Sequence, residues 1–437
     1  MEQLAPKVLI FGHSFNNYNG IGITLTSLFS LWPPDKIAIV APMAPIPFLM
    51  QNQLCNRYFD TLENKEYVIN KNCHVENKDV LSPTSSYEDN RSWARKKVSY
   101  FLHKKIGIDD LIDRNPVSRE LIDFVNDFNP DIIYTCLGSY GAIRYVKKVC
   151  VQTGNRFPLA IHIMDDWPNT LFNGRYFSWM WKKKYHRSFM GIVKKSILRL
   201  SICEGMSKEY AFRYNQIFFP FHNPVNVDLW DKVPNKRFQS DSAIKKIVFF
   251  GKINEDTQDA LLDMCDVVTK LNRRGMLVQF DIYSPNYSKD MSSLFGGFLS
   301  CKIFPSIPHE KVKDHIKDYD VVYFPLCFSD RTRYYARLSM STKTSEYMVS
   351  KVPILLYCPE ELELYKYASN EGWACCVTHR NEDILLQSLV NLFVDSNLRN
   401  GLTKKAYQLA ISRHNLINVS EDFKIKFIDA IRKYDAR

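Results

Sequence analysis

Residues 320–357 read DVVYFPLCFSDRTRYYARLSMSTKTSEYMVSKVPILLY. The segment opens with one short apolar run, closes with another, and has a longer mixed stretch between them. Apolar runs of this length predict buried strands, and the connecting stretch is long enough to form a helix. The segment therefore predicts a strand–helix–strand unit of the kind that builds parallel sheets.

The same alternation continues on both sides of this segment. Short apolar runs are separated by longer amphipathic stretches, which is typical of repeated strand–helix–strand units. In the first half the strand candidates are Lys7–Phe11, Lys36–Ala41, Asp131–Cys136, Pro158–Met164 and Leu200–Cys203. In the second half they are Lys246–Phe250, Val278–Tyr283, Cys301–Phe304, Asp320–Phe324, Pro353–Tyr357 and Ala374–Thr378. A long polar insertion, predicted to be rich in helix, lies at 50–128.

The alternation is interrupted at 217–240, where the chain becomes rich in Pro and Asn and then polar. A chain of 437 residues is too long for one ordinary core, so two domains of roughly 200 residues each are expected. We predict an α/β protein with two doubly wound, Rossmann-like domains at 1–220 and 245–415, joined by a linker at 221–244.

Composition narrows the class of protein. Apolar residues make up 46% of the chain and charged residues 24%, as in folded globular proteins. No segment reaches the roughly 18 uninterrupted apolar residues of a spanning helix, and the first residues lack the features of a signal peptide. The 11 cysteines include no C-x-x-C pair and lie mostly in apolar runs, which indicates reduced thiols rather than disulfides or zinc. A cytoplasmic protein is expected.

The net charge of +11 indicates anionic partners. Two basic stretches that also contain aromatic residues, 91–105 and 178–200, suit a surface that rests on anionic lipid headgroups at the inner face of the cell membrane. The alternative is a solvated helix face with a few packed aromatic side chains. Nucleic acid is a less favoured partner because no recognised binding motif accompanies the charge.

A glycine-containing loop follows the first predicted strand. Gly20 and Gly22 stand where this loop enters an apolar helix, and glycines there let a backbone approach a ligand closely. The spacing is not G-x-G-x-x-G, so a dinucleotide site is not indicated. A plain tight turn explains the pair equally well.

Two acids, Asp165 and Asp166, end the predicted strand Pro158–Met164. Acids at the carboxyl end of a buried strand must be paired, exposed or bound to a ligand. They can orient a hydroxyl, act as a base or hold a metal, whereas Asp166 can instead cap the helix that begins near Trp167. His162 alternates with isoleucines, which favours packing over a sugar contact.

The stretch at 341–346 contains the strongest site candidate. Ser341, Thr342 and Lys343 precede Glu346 by about one helical turn, so hydroxyls, an ammonium and a carboxylate share one side of a helix start. Hydroxyls and an ammonium suit phosphate oxygens, and a carboxylate can accept both hydroxyl hydrogens of a ribose. Lys252 follows the strand that opens the second half and is expected to contact a diphosphate.

The chain resembles GT-B glycosyltransferases, close to the family 4 group that builds polysaccharides and glycolipids. The resemblance covers nearly the whole chain, and its most specific part is the last block. The segments that carry it are KVLIFGH (7–13), LSICEGMSKEYAFRYN (200–215), HNPVNVDLW (222–230), KKIVFFGKI (245–253), DYDVVYFPL (318–326) and STKTSEYMVSKVPILLY (341–357).

The resemblance implies two facing domains, a C-terminal helix at 416–437 that crosses back to the first domain, and a UDP- or GDP-sugar donor. It also implies that Glu346 holds the ribose, that Lys252 and the Ser/Thr/Lys residues contact the diphosphate, and that Asp165 or Asp166 positions a lipid-linked or glycan acceptor. Such enzymes work without a metal or other cofactor, and this group typically retains the anomeric configuration.

The chain departs from the family pattern at two places. The family has an acid where this chain has Leu338, and a second lysine where this chain has Glu255-Asp256-Thr257. The departure at Leu338 leaves a catalytically inactive scaffold open as an alternative. Two further alternatives are a nucleotide-sugar epimerase of the same architecture and a nucleic-acid glucosylating enzyme, which would explain the positive charge.

Overall fold

The computed structural model describes residues 5–43, 45–69, 105, 117–233 and 244–436. The chain forms two compact units. Unit 1 consists of Met1–Phe221 together with Glu421–Arg437, and unit 2 of His222–Ser420.

Unit 1 is built on a sheet whose eight described strands are all parallel except for one edge strand. The strands are β1 (Val8–Phe11), β2 (Ile37–Ala41), β3 (Arg57–Asp60), β4 (Lys65–Val68), β5 (Ile132–Cys136), β6 (Leu159–Ile163), β7 (Ser196–Ser201) and β8 (Phe219–Pro220). The helices are α1 (Gly20–Leu28), α2 (Ile46–Asn52), α3 (Arg119–Phe128), α4 (Tyr140–Gln152), α5 (Trp167–Thr170), α6 (Ser178–Lys195) and α7 (Glu204–Tyr214).

The strand order in unit 1 is β4-β3-β2-β1-β5-β6-β7-β8. The direction of winding reverses between β1 and β5, and such a reversal leaves room for ligands at the carboxyl ends of the strands. The two central strands are buried on both faces, which explains why their sequences are uninterrupted apolar runs. Ser139 fixes the start of α4, since its hydroxyl accepts a hydrogen bond from the backbone N–H of Ala142 at 3.0 Å.

Unit 2 contains a six-stranded, fully parallel sheet in its described residues. The strands are β9 (Lys245–Phe250), β10 (Val278–Ser284), β11 (Cys301–Pro305), β12 (Val321–Pro325), β13 (Ile354–Tyr357) and β14 (Cys375–Val377). The helices are α8 (Val227–Asp231), α9 (Gln258–Arg273), α10 (Lys289–Phe295), α11 (Val312–His315), α12 (Asp330–Tyr335), α13 (Lys343–Val349), α14 (Glu363–Glu371), α15 (Glu382–Val394) and α16 (Ser396–His414).

The strand order in unit 2 is β11-β10-β9-β12-β13-β14, so the winding reverses between β9 and β12. The helices α9 and α15 pack on this sheet through fully buried aliphatic side chains such as Leu261 and Leu389. The loops that follow β9 and β12 therefore lie side by side at the carboxyl edge of the sheet.

A last helix, α17 (Leu416–Asp435), begins in unit 2 and from Glu421 onward belongs to unit 1. Its Phe423 and Phe427 are completely buried. The Phe423 ring lies 5.1 Å from that of Phe29 and the Phe427 ring lies 5.5 Å from that of Trp32. The end of the chain thus completes the core of unit 1.

The predicted fold class, two doubly wound parallel-sheet domains, is confirmed. The structure adds two strands, β3 and β4, inside a segment that was predicted to be rich in helix. The basic stretch 91–105 lies outside the described residues, except for Lys105. Within the described ranges, no helix combines the length and the apolar character needed to cross a bilayer.

Candidate functional site

The lysine at the start of α13 lies against the glycine that follows β9. Gly251 has no side chain, and a methyl group built there would stand 2.3 Å from the Lys343 Nζ atom. That ammonium also lies 5.3 Å from the ring centre of Phe249, in cation–π range. Glycine at 251 therefore makes room for a cation at the switch point of the sheet.

The Lys343 ammonium is held in a poorly solvated place. Loss of hydration lowers the pKa of Lys343 to about 8, and the neighbouring Glu346 carboxylate only partly offsets this effect. An anion bound beside Lys343 would stabilise the charged ammonium, which burial disfavours. The site therefore favours a negatively charged ligand.

Glu346, three residues further along α13, is buried. Its Oε1 atom lies 2.5 Å from His309 Nε2, which comes from the turn His309–Lys311 after β11. This hydrogen bond to Glu346 is the main reason why the pKa of His309 is raised above 6.5, although partial burial of the ring opposes the shift. One carboxylate oxygen is thus engaged by an imidazole.

The residues just before α13 are positioned by a side chain from the start of unit 2. Asn223 Nδ2 donates a hydrogen bond to the Thr342 carbonyl at 3.1 Å. Thr342, Ser341 and Lys343 are all partly exposed. Asn223 is buried, and its Oδ1 has no hydrogen-bond partner among the described residues. Asn223 therefore fixes the backbone that presents these three side chains.

Lys252 is exposed on a turn with a well-defined backbone. The Lys252 carbonyl accepts a hydrogen bond from the Thr257 hydroxyl at 3.0 Å, and the next backbone N–H donates to Asn286 Oδ1 at 3.0 Å. Further along the loop, Glu255 pairs with Arg331. This pair offsets the positive charge of Arg331.

Two carboxylates follow β6 in unit 1, and they have different surroundings. Asp166 is buried, and both of its oxygens are engaged. Its Oδ1 accepts hydrogen bonds from Tyr210 at 2.9 Å and Arg213 at 2.6 Å, and its Oδ2 accepts from Arg213 at 3.0 Å and Asn169 at 3.1 Å. Four donors saturate a carboxylate, so Asp166 anchors the end of β6 to α7.

Asp165 is partly exposed, in contrast to Asp166. Its backbone carbonyl accepts a hydrogen bond from Trp167 N at 2.8 Å, which bends the chain into α5. The bend leaves Asp165 as the more accessible acid of the pair.

His162 lies inside the core of unit 1. Its ring is completely buried, and Nδ1 lies 2.7 Å from the Tyr134 hydroxyl. Burial lowers the pKa of His162 to about 3, so the ring is neutral at physiological pH. A ring without exposed surface cannot touch a sugar, and the packing role that the strand pattern favoured accounts for its position.

The two glycines in the first turn of α1 have distinct constraints. Gly20 is exposed at the first position of α1. Gly22 is buried, and a methyl group built on it would stand 2.1 Å from Asn16 Nδ2. Asn16 in turn accepts a hydrogen bond from Asn19 N at 3.1 Å. The glycine at 22 is therefore explained by the packing of the loop itself.

The structure brings part of the predicted donor site together in unit 2. Lys343 and Glu346 share one helix start with Ser341 and Thr342, and Lys252 follows the adjacent strand. Sequence reasoning missed His309, Asn223 and the specific need for Gly251. The HNPVN segment was noticed, but only contacts within the folded unit reveal what Asn223 holds. Within the described ranges, no three His, Cys, Asp or Glu side chains cluster as a metal site requires.

Comparison with solved structures identifies the architecture. HepE of Anabaena in complex with UDP matches with a TM-score of 0.63 and 10% identity, covering 97% of this chain and 100% of that one. A glycosyltransferase from Rickettsia africae ESF-5 matches with a TM-score of 0.60 and 11% identity over 98% of both chains. The chain has the GT-B fold. α,α-Trehalose 6-phosphate synthase from Burkholderia multivorans also matches, with a TM-score of 0.60 and 9% identity over 99% of both chains.

The structural similarity establishes the GT-B fold. Because the sequence identities are only 9–11%, the reaction has to be argued from the site. No family model and no curated protein matches the sequence. Family 4 is a finer assignment than the structural matches give, so it stays a prediction.

Proposed function

We propose that this GT-B protein is a glycosyltransferase that moves a sugar from a nucleotide-diphosphate sugar to a glycan or lipid-linked acceptor. The observation that carries the proposal is the arrangement at the switch point of unit 2. There the poorly solvated ammonium of Lys343 lies next to Gly251. The buried carboxylate of Glu346 is about one helical turn further along α13. This combination suits a ligand that has both a diphosphate and a ribose. The GT-B neighbour HepE was crystallised with UDP.

In the proposed reaction the bond between the anomeric carbon of the sugar and the diphosphate oxygen breaks, and its electron pair leaves with the nucleoside diphosphate. The oxygen of the acceptor hydroxyl forms a new bond to that carbon and gives up its proton. Lys343 and Lys252 stabilise the charge that develops on this leaving group, which is the kind of electrostatic effect that usually contributes most to catalysis. Glu346 accepts hydrogen bonds from the ribose hydroxyls. No metal or other cofactor is invoked in this scheme, so full activity in EDTA is expected.

In unit 1 we propose that Asp165 is the acid that orients the acceptor hydroxyl or removes its proton. The sequence left Asp165 and Asp166 as equal candidates. The four hydrogen bonds to Asp166 favour Asp165, because a carboxylate that is fully occupied by Arg213, Tyr210 and Asn169 has no lone pair for a substrate.

A nucleotide panel tests the donor half of the proposal. UDP, GDP, CMP and their sugar conjugates are added to wild type and to Glu346→Gln, and the melting temperature is measured. One nucleotide is expected to raise the melting temperature of the wild type, and this rise should largely disappear in the variant. Absence of a shift with every nucleotide would contradict the proposal.

A second candidate function is nucleotide-sugar binding without transfer. It is favoured by Leu338, which is buried and apolar where family 4 enzymes have an acid. A transferase consumes the donor when an acceptor is supplied, and without acceptor it hydrolyses the donor only slowly. An epimerase isomerises the donor without any acceptor. A scaffold leaves the donor intact. Chromatography of donor after incubation with and without a glycan acceptor therefore separates the three.

Peripheral binding to an anionic membrane is part of the proposal. The helix α6 and the turn before it expose Tyr176, Phe177, Trp179 and Met180. Phe177 adopts a left-handed backbone conformation with φ of 56°, which is strained for a large side chain. Exposed aromatic groups next to a basic helix suit the interface of a bilayer. Flotation with anionic but not with neutral vesicles is expected, and equal flotation with both would contradict membrane association.

A further inference from the structure

A cavity of about 580 Å³ lies in unit 1 between the first turns of α4 and the first half of α6. Its lining residues are Tyr140, Met180, Lys183, Lys184, Arg187 and Ser188. We call this cavity the cationic groove. A volume of this size accommodates a phosphorylated headgroup or a sugar phosphate.

The charges around the cationic groove are all positive. Lys183, Lys184 and Arg187 lie on consecutive turns of α6 and are exposed. In the part of the chain that the structure describes, none of the three forms an ion pair with a carboxylate. Three adjacent cations without a counter-charge repel one another, so an anion bound among them would be stabilised by all three.

The wall of the cationic groove is fixed by contacts between the two helices. Lys184 Nζ lies 5.3 Å from the ring centre of Tyr140 and 5.5 Å from that of Trp181. Two turns further along α4 from Tyr140, Lys147 Nζ donates hydrogen bonds to the carbonyl and the hydroxyl of Ser188, both at 3.0 Å. The cations therefore project from a braced pair of helices rather than from a mobile loop.

The topology places the cationic groove on the substrate side of unit 1. The helix α4 follows the carboxyl end of β5, and α6 follows β6 by way of Asp165 and α5. The start of α4 and the first half of α6 thus lie toward the same edge of the sheet as Asp165. The start of α4, a helix of 13 residues, adds the positive end of its dipole to the three cations.

We infer that the cationic groove binds a phosphate group, a monoester or diester, that is carried by the acceptor. This inference rests on the proposed function, because it names the chemical class of the acceptor. An arginine and two lysines around one cavity suit the several oxygens of a phosphate better than a single carboxylate. The phosphate can belong to a lipid headgroup or to a soluble sugar phosphate, and the two sources are separated experimentally.

The test compares two triple variants that each lower the net charge from +11 to +8. One is K183Q/K184Q/R187Q, which empties the cationic groove of charge. The control is K208Q/K404Q/K405Q, which removes three exposed lysines outside it. Inorganic phosphate is titrated in the presence of saturating UDP, so that the nucleotide site is occupied, and the fluorescence of Trp181 and the other tryptophans reports binding.

Phosphate binding that weakens at least about tenfold in K183Q/K184Q/R187Q and not in the control supports the inference. Vesicles of phosphatidylcholine with and without phosphatidic acid then identify the source. Loss of flotation only in the groove variant assigns a lipid headgroup, whereas unchanged flotation with lost phosphate binding assigns a soluble phosphate. Equal phosphate affinity in the wild type and both variants overturns the inference.

The nucleotide panel distinguishes failure of the cationic-groove inference from failure of the proposed function. A normal UDP shift in both triple variants shows that they are folded and that the donor site is intact. With that shift present, failure of the phosphate titration refutes only the cationic groove. Absence of the UDP shift in the wild type instead refutes the donor site, whatever the groove binds.

Discussion

At the scale of single residues, Gly251 illustrates how an absent side chain positions a charge. The Lys343 ammonium lies in the space that a methyl group at 251 would fill, and the end of the Phe249 ring lies 2.8 Å from that position. The Lys343 ammonium is the far end of a flexible side chain, whereas the Phe249 ring is buried in the core of unit 2. An added methyl group therefore displaces the ammonium and also crowds a buried ring.

Gly251→Ala is expected to weaken nucleotide binding about tenfold and to lower the free energy of unfolding by about 1–3 kcal/mol, because the methyl group crowds the buried Phe249 ring. Calorimetric titration and denaturant unfolding measure the two effects. Gly297→Ala is the matched control, because a methyl group there meets no atom within 4 Å. Equal nucleotide affinity in both variants would mean that the position of Lys343 does not matter for binding.

Lys343 also predicts how binding depends on pH. Its folded pKa of about 8 lies below its ordinary value of 10.5, so the unfolded chain binds more protons between these values. Stability of the free protein should therefore rise as pH rises from 8 to 10.5, whereas nucleotide affinity should fall because the ammonium is lost. Titrations at several pH values check this, and a Lys343→Met variant should show neither trend.

Substitution of Asp166 is expected to affect mainly stability, whereas substitution of Asp165 is expected to affect mainly activity. Asp166→Asn removes one of the two carboxylates that pair with the partly exposed Arg213 and should lower the free energy of unfolding by about 1–3 kcal/mol. Asp165→Asn should lower the free energy of unfolding by less than Asp166→Asn does, and it should abolish transfer. Chemical denaturation and a transfer assay on both variants decide between them. A stable Asp166→Asn protein would show that the pair with Arg213 contributes little.

At the scale of elements, His309 and Glu346 join the turn after β11 to α13. The raised pKa of His309 means that the stabilisation from this pair is fully present below pH 6.5 and is lost as pH rises through the higher folded value. The melting temperature of wild type relative to His309→Gln should therefore fall as the pH rises above about 6.5. A constant difference would show that the imidazole contributes no charge to the contact.

The elements also show how far sequence alone could reach. Central strands such as β1 and β12 were predictable because parallel strands that are buried on both faces are continuous apolar runs. The edge strand β4, with the sequence KEYV, was missed because it is exposed and polar, and pairing with β3 rather than apolar character makes it a strand.

The same limit applies to the candidate site. Lys343 and Glu346 could be paired from sequence because helical spacing places them on one side of a short segment. His309 and Glu346 are 37 residues apart, and Gly251 and Lys343 are further apart still. Only the order of strands in the sheet brings such residues together, and sequence spacing carries no record of that order.

At the scale of the whole molecule, the core of unit 1 depends on residues from the end of the chain. Phe423 and Phe427 are completely buried against Phe29, Trp32 and Tyr134. Replacing either phenylalanine with alanine should lower the free energy of unfolding of unit 1 by about 3–5 kcal/mol. A chain that ends at Ser420 should lose the unfolding transition of unit 1 and keep that of unit 2.

Calorimetry that resolves the two transitions, with UDP added to mark unit 2, measures this effect. Ile425→Ala, in the same helix but with an exposed side chain, is the control and should change neither transition by more than about 0.5 kcal/mol. Two unaltered transitions in the truncated chain would show that α17 is dispensable for unit 1.

Unit 2 is one uninterrupted stretch of chain, whereas unit 1 is completed only by residues beyond 420. On the ribosome, the first 221 residues must therefore wait while roughly 200 more are translated, about 10–40 s at ordinary rates of synthesis. During that time their aromatic core lacks two of its rings. The half that is made second can finish folding first, and the half that is made first stays incomplete until the residues beyond 420 have been synthesised.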